Sequence, residues 1–360
     1  MTHNIMSPPT PEDEAYQQRI LQGVSRTFAL TIPELPPALA RVVSNAYLLC
    51  RIADTIEDDP GLSYPQQREF SDRFVAVVAG RMDAQAFADA LHPLLSPKLQ
   101  ETERDLIHNA ARVIRITLSF NANQRAALLR CVQIMANGMA WYQERETLDG
   151  LADMPAMDRY CYYVAGVVGE MLTELFCDYS PEIATQREPL MKLAVSFGQG
   201  LQMTNILKDI WEDRRRGACW LPRDVFLGHG VDLSKLPEAA TQPGYAAALS
   251  ELIAVARGHL ENALAYTLRI PAHERGIRRF CLWALGMAVL TLDKINRRRD
   301  FRAGHEVKIS RRQVRATILL SNMSVAHDRL LRGLFRIAAR RLPAAPVHAT
   351  LAAIGRGTGT

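Results

Sequence analysis

Two acidic pairs at helical spacing, each set in an otherwise apolar stretch, constrain this chain more than any other feature. The first is Asp54-Thr55-Ile56-Glu57-Asp58; the second is Asn205-Ile206-Leu207-Lys208-Asp209-Ile210-Trp211-Glu212-Asp213. In a helix, Asp54 and Asp58 stack on one face, as do Asn205, Asp209 and Asp213. Like charges at that spacing repel, so a helix tolerates them best when something pairs with them. Mg²⁺ does so, because it takes a few carboxylates and fills its remaining positions with water and phosphate oxygens. Two such faces turned toward each other would make a metal-lined pocket for a diphosphate.

A lone Asp-x-x-x-Asp is usually a solvated helix face, and the flanks argue otherwise here. Residues 38–53 are largely apolar, and Tyr47, Arg51, Asp54 and Asp58 fall on one narrow stripe. Residues 193–211 are also apolar-rich, and Gln202, Asn205, Asp209 and Asp213 share a stripe. Polar stripes on core-like helices are costly unless partnered, so two of them point to a site.

Apolar spacing of period 3.6 recurs along the whole chain, while alternating strand-like runs are scarce. The pattern predicts an all-α fold with helices near 15–31, 37–58, 64–79, 101–119, 122–145, 156–178, 187–213, 244–268, 272–297, 309–320 and 324–341. Pro60-Gly61 closes the second of these, and Pro33, Pro36 and Pro37 punctuate the turn before it. No linker, repeat or low-complexity run divides the 360 residues. One catalytic domain is therefore expected, with an ordered core near 15–342 and short flexible termini.

The six cysteines are scattered without a Cys-x-x-Cys and read as reduced core thiols. The N-terminus shows no signal pattern, and the apolar run 280–292 is too short to span a bilayer. These features predict a cytoplasmic protein. Net charge conceals an asymmetry: residues 257–360 carry 20 Lys and Arg against 6 Asp and Glu, and the remainder carries 23 against 32. No nucleic-acid motif accompanies the basic end. Its segment Arg329–Arg341 is amphipathic, with Leu330, Leu331, Leu334, Phe335 and Ala338 on one side. Most such helices pack on their own domain; the alternative is peripheral membrane contact.

In chain order come Ser25-Arg26-Thr27-Phe28, then Tyr47-x-x-x-Arg51-x-x-Asp54-Thr55-x-Glu57-Asp58. Tyr160-Cys161-x-Tyr163-Val164-Ala165-Gly166-x-Val168-Gly169 follows, and then Gln202-x-Thr204-Asn205-Ile206-x-x-Asp209-x-x-Glu212-Asp213. This ordered set resembles the squalene and phytoene synthases, the head-to-head branch of the trans-isoprenyl diphosphate synthases, over roughly residues 17–320. The resemblance implies a single helical bundle around a central cavity.

It also implies that Asp54, Asp58, Asp209 and Asp213 hold Mg²⁺ ions bridging substrate diphosphates, with Glu57 and Asn205 in support. Ser25, Arg26, Arg51, Gln202 and Lys208 would line the same region, and Arg216 would make a further diphosphate contact. Phe28 would shape the pocket for cationic intermediates, Tyr160 would accept a proton during cyclopropane closure, and Tyr47 and Arg51 would stand with them as catalytic residues. Val164 and Val168, with Val167, Met171 and Leu172, would form an apolar wall. The small residues Ala165, Gly166 and Gly169 serve either close helix packing or room for a prenyl chain.

The chain is most like the squalene-forming branch. That branch condenses two farnesyl diphosphates to presqualene diphosphate, then rearranges and reduces it with NADPH. No Rossmann fingerprint is present, so the NADPH expectation rests on likeness of residues 296–312, with Lys308, Ile309, Arg311 and Arg312, and of Phe280. A solvated basic loop is the competing reading of that segment. The spacing after Asp213, Arg214-Arg215-Arg216-Gly217, is closer to the phytoene-type pattern, and Lys208 stands where Arg is common. The alternative function is therefore a presqualene diphosphate, dehydrosqualene or phytoene synthase without the reductive step. A non-catalytic scaffold would be expected to lose the acidic motifs, and a di-iron bundle would need Glu-x-x-His pairs that the chain lacks.

Overall fold

The computed structural model describes residues 8–25, 27–143, 147–236 and 238–344. Its helices, in chain order, are α1 (Pro11–Val24), α2 (Phe28–Thr31), α3 (Pro37–Asp58), α4 (Tyr64–Val78), α5 (Ala84–Leu91), α6 (Glu101–His108), α7 (Ala110–Leu118) and α8 (Ala122–Gln143). There follow α9 (Met154–Cys161), α10 (Val167–Tyr179), α11 (Pro181–Ala184), α12 (Arg187–Arg216), α13 (Arg223–Gly228), α14 (Pro243–Arg269), α15 (Arg275–Arg297), α16 (Gly304–Val307), α17 (Arg311–Ser324) and α18 (Asp328–Ala339). The all-α expectation holds: among the described residues the only β feature is an isolated bridge between Leu151 and Pro222.

The contacts group the chain into two compact units, residues 1–144 with 171–184, and residues 145–170 with 185–360. In the first unit α3 is the central helix, packed by α1, α4, α7 and α8. Its Leu48, Leu49, Ile52 and Ile56 are fully buried, which is what its apolar run requires. A polar knot fixes its register: the buried Asn45 amide donates to Gln17 Oε1 and the Val113 carbonyl, and accepts from Thr117 Oγ1 at 2.7 Å. The acid just after the first motif, Asp59, caps the end of the helix. Asp59 Oδ1 accepts from the backbone N–H groups of Gly61 and Ser96, at 2.7 and 2.9 Å. A Cβ on Gly61 would lie 2.6 Å from the Ser96 nitrogen, so the Pro60-Gly61 stop has a steric basis.

Helix α12 is the spine of the second unit and packs on α14 and α15; α17 and α18 pack in turn on α15. Between α9 and α10, residues Tyr162–Gly166 form a π turn that lies against α12. The approach is close because glycines face backbone. A Cβ on Gly198 would lie 2.1 Å from the Ala165 carbonyl oxygen, and one on Gly169 2.2 Å from that of Ala194. At Gly198 and Gly169, then, the small residues serve helix packing.

The sequence reading of 15–31 as one helix is corrected. The chain leaves helical geometry at Ser25, whose φ and ψ are extended. The span 101–119 likewise divides at Asn109. Helix α5, capped by Asp83, was not anticipated because it is only 8 residues long. All six cysteines are free, as expected, but Cys50, Cys177 and Cys219 are half-buried rather than core.

Candidate active site

In the first unit, the extended Ser25 turns its hydroxyl toward α2, where it accepts from the Phe28 N–H at 3.0 Å. Tyr47 donates to the Val24 carbonyl at 3.0 Å, and its ring meets that of Phe28 at 5.3 Å. Burial raises the Tyr47 phenol above its usual range, partly offset by Ser25 and Arg51. Ser25, Phe28 and Tyr47 therefore form one contiguous group. Arg26 lies outside the described residues.

Arg51 is clamped by an ion pair with Glu103 of α6, a buried carboxylate that the sequence reading did not single out. Its other arm reaches Asp54 at 4.0 Å. Asp54 is pushed up to about 7, chiefly by burial; Arg51 offsets part of this and Asp58 adds to it. Asp58 is exposed and Glu57 half-buried, so the motif opens outward along the expected stripe while Asp59 turns in.

In the second unit the stripe on α12 is also present. Gln202 and Asp209 are half-buried, Asn205 is exposed and Asp213 is buried. Lys208 sits 3.0 Å from Asp209 and 3.4 Å from Asn205 Oδ1. Burial raises the Asp209 carboxyl, against the pull of Lys208. Arg216 donates to Asp213 at 2.5 Å, so its guanidinium is already held at the motif.

Glu212 binds the chain that covers this stripe. Its Oε1 accepts from the Gly304 N–H at 3.0 Å, and its Oε2 is buried without a partner. The approach is tight: a Cβ at 304 would lie 3.1 Å from Asp209 Oδ1 and 3.0 Å from the Lys208 carbonyl, so a side chain there would press on the stripe. Arg302 adds a cation over the Trp211 ring at 4.8 Å. The middle of the segment proposed from sequence to bind a nucleotide thus rests on the second acidic motif. Gly304 gave no sequence signal beyond being a glycine.

The donor set can be tested against Mg²⁺. Both stripes offer oxygen donors only, the hard-ligand chemistry that this ion requires. Within either unit no three His, Cys, Asp or Glu side chains converge as a closed cage among the described residues. Paired carboxylates with open positions are what an ion shared with water and phosphate needs. Burial, with Asp58 adding to it, disfavours the charged form of Asp54, and a dication would offset both. The residues fit.

Tyr160 is buried and stacks on Trp220, with ring centroids 4.2 Å apart and planes within 7°. Trp220 was not singled out from sequence. Val164, Val168 and Leu172 are half-buried; Val167 and Met171 turn into the core and do not share that face.

Lys308, Arg311 and Arg312 are exposed and Ile309 half-buried at the start of α17, which suits a phosphate. Phe280 does not join them. Helices α15 and α17 run antiparallel, with Trp283 bonded to Asn322, Gly286 against Thr317, and Lys294 Nζ bonded to the Lys308 carbonyl. Phe280 therefore sits roughly 21 Å along α15 from Lys294 and is a buried core residue.

A serine, a histidine and an acid also meet within the second unit, unannounced by any motif. Asn262 donates to Ser196 Oγ at 2.9 Å, and Ser196 lies 2.8 Å from His259 Nδ1. His259 Nε2 stands 3.9 Å from Asp158. Ser196 and His259 are buried, so no substrate carbonyl can reach them and the network is a core feature. Burial lowers His259 to about 4 and raises Asp158 to about 6.

Comparison with known proteins bears on the whole arrangement. The sequence model described as squalene/phytoene synthase matches residues 21–313. The squalene synthase of Eremothecium gossypii is 31% identical over 285 residues, covering 76% of this chain and 60% of that protein. Squalene synthase ERG9 of Gibberella zeae is 30% identical, covering 80% and 60%. The chain thus spans about three fifths of the length of these relatives. A solved complex of TcSQS with the ligand E5700 shares the fold, with TM-score 0.72 and 24% identity, covering 94% of this chain and 95% of that one. A dehydrosqualene synthase complex aligns with TM-score 0.60 and 20% identity, covering 86% and 94%.

Proposed function

The chain belongs to the squalene/phytoene synthase family, and from that premise we propose that it is a farnesyl-diphosphate farnesyltransferase of the squalene-forming kind. It would join two farnesyl diphosphates into presqualene diphosphate, then rearrange and reduce that to squalene. The observation that carries this reading is the pair of oxygen-donor stripes, Asp54/Asp58 on α3 and Asp209/Asp213 on α12, each with a cation at hand in Arg51 or Lys208. The reading of residues 1–360 as one catalytic domain is part of the same proposal.

Mg²⁺, when bound, would neutralise the diphosphate as it leaves the allylic carbon. Asp54, Asp58, Asp209 and Asp213 would hold it, with Glu57 and Asn205 in support. Arg51, fixed by Glu103, and Arg216, held at Asp213, present N–H donors to phosphate oxygens without having to be ordered first. Ser25, Gln202 and Lys208 would complete that polar side, and Arg26 stays in the proposal on resemblance alone. Val164 and Val168 would keep water from the carbocation. The half-buried Phe28–Tyr47 and the buried Tyr160–Trp220 pairs supply aromatic faces suited to a passing positive charge. Tyr160 would take the proton lost on cyclopropane closure.

NADPH would supply hydride for the last step, and Lys308, Ile309, Arg311 and Arg312 would hold its phosphate end; Phe280 is withdrawn from that set. We place the protein in the cytoplasm, in peripheral contact with a membrane through its basic C-terminal helix. No helix among the described residues is long and apolar enough to cross a bilayer.

The test is incubation of purified protein with farnesyl diphosphate and Mg²⁺, with and without NADPH, with products identified by mass spectrometry. Squalene formed only with NADPH is the expected result. Lys308→Ala with Arg311→Ala should lose squalene and keep presqualene diphosphate. An unreduced triterpene or presqualene diphosphate in both tubes would move the enzyme to the non-reducing branch.

A further inference from the structure

The last two helices leave large apolar side chains in solvent. On α17, Leu319 is 60% and Met323 70% exposed; on α18, Leu330 is 56% and Ile337 64% exposed. The inner faces of both helices are already used against α15, with Leu331 and Ala339 turned inward. The sequence reading put Leu330 and Leu331 on one side of the helix; the structure separates them, one to solvent and one to the core.

The exposed set is ordered. Along α18, Leu330, Leu334 and Ile337 fall on one stripe, and Arg329, Arg332, Arg336 and Arg340 fall on another about 120° round the helix. Met323 and Leu330 are joined by the short connection 325–327. From residue 311 to 344 there are eight Arg, no Lys, no Glu and one Asp. That one acid, Asp328, is taken by the buried Arg278 at 2.8 Å. Nothing acidic on these two helices is left to face the arginines.

A second copy of this chain would bring the same uncompensated positive face against itself, which like charge opposes. A surface with anionic headgroups above an apolar interior complements both stripes together. We infer that the outer face of α17 and α18 docks on a bilayer rich in anionic lipid. Leu319, Met323, Leu330 and Ile337 enter the headgroup–acyl boundary, and Arg332 and Arg336 meet lipid phosphates. This deepens, and rests on, the peripheral contact proposed above, and it brings in Leu319 and Met323 of α17.

The test is flotation of the full-length protein with vesicles of phosphatidylcholine alone, and with about 30 mol % phosphatidylglycerol to supply the negative surface. Binding to the anionic vesicles alone is expected, and it should weaken as salt is raised. Leu319→Glu with Met323→Glu should abolish it. Arg332→Gln with Arg336→Gln should lower partitioning about 30-fold, roughly fivefold for each cation removed. Both pairs are exposed, so far-ultraviolet dichroism should match the parent. Equal binding to neutral vesicles, or none to either, would overturn the inference. So would a dimer in sedimentation that Leu319→Glu dissolves without any vesicle binding. Farnesyl diphosphate turnover is read separately without vesicles: its absence with anionic binding intact would remove the reaction and leave the docking face standing.

Discussion

Asp58 and Asp59 are neighbours in one acidic run, yet only one of them can serve a ligand. Asp58 is exposed on the stripe with Asp54, while Asp59 is spent on the N–H groups of Gly61 and Ser96. Because Asp54 is a crowded, partly desolvated charge, Asp54→Ala should leave thermal stability unchanged or slightly raised. The same variant should lose farnesyl diphosphate ionisation by at least about 100-fold, the scale of one lost charge-stabilising group. Wild-type turnover would take Asp54 out of the metal set. Helical spacing made these stripes legible in the sequence. It could not show Glu103 or Gly304, because each meets its motif from a helix or loop distant along the chain. The Ser196–His259–Asp158 network was invisible for the same reason.

That network makes an opposed pair of titrations. His259 titrates at about 4 folded against 6.5 unfolded, so it favours unfolding as pH falls through that window. Asp158 titrates at about 6 folded against 3.8 unfolded, so its contribution is lost as pH rises from about 4 to 6. Each amounts to on the order of 3 kcal/mol at 1.36 kcal/mol per pH unit. Relative to the parent, Asp158→Asn should therefore gain stability with rising pH between about 4 and 6, and His259→Gln should lose it. Denaturant unfolding across that range reads both slopes; equal slopes in parent and variants would mean that neither group titrates as its burial implies.

At the scale of the element, two glycines invite substitutions of opposite sign. Gly198 lets α12 meet the π turn, and a methyl there would collide with the Ala165 carbonyl. Gly198→Ala should cost about 1–3 kcal/mol, the usual range for overpacking. Gly333 on α18 has nothing within 4 Å of a built Cβ. Gly333→Ala should instead stabilise by up to about 1 kcal/mol through helix propensity. Thermal melts distinguish the two, and a neutral Gly198→Ala would show that the helices can part. Long helices were well read because their apolar period persists over many turns; α3 was predicted at 37–58 and found at Pro37–Asp58. The break at Ser25 escaped because no proline marks it and the nearby Gly23 still lies within α1. Phe280 was misassigned because sequence order gave no hint that α15 and α17 run antiparallel.

At the scale of the molecule, the charge asymmetry becomes intelligible once the arginines of residues 311–344 are seen beside exposed Leu319 and Met323. Periodicity had already marked α18 as amphipathic. It could not say that α17 also carries an outward apolar end, since the inner face of that helix is apolar in part and only packing tells the two apart. The hold of Glu212 on Gly304 has a further consequence. Pulling residues 302–306 away would strip Glu212 of the Gly304 N–H and leave it with Arg215 alone, beside the like charge of Asp209, and a cation on the stripe would lessen that loss. Ligand at the Lys308 end and cation at Asp209 are then linked functions. By thermodynamic reciprocity, whatever factor the one applies to the affinity of the other is returned in equal measure.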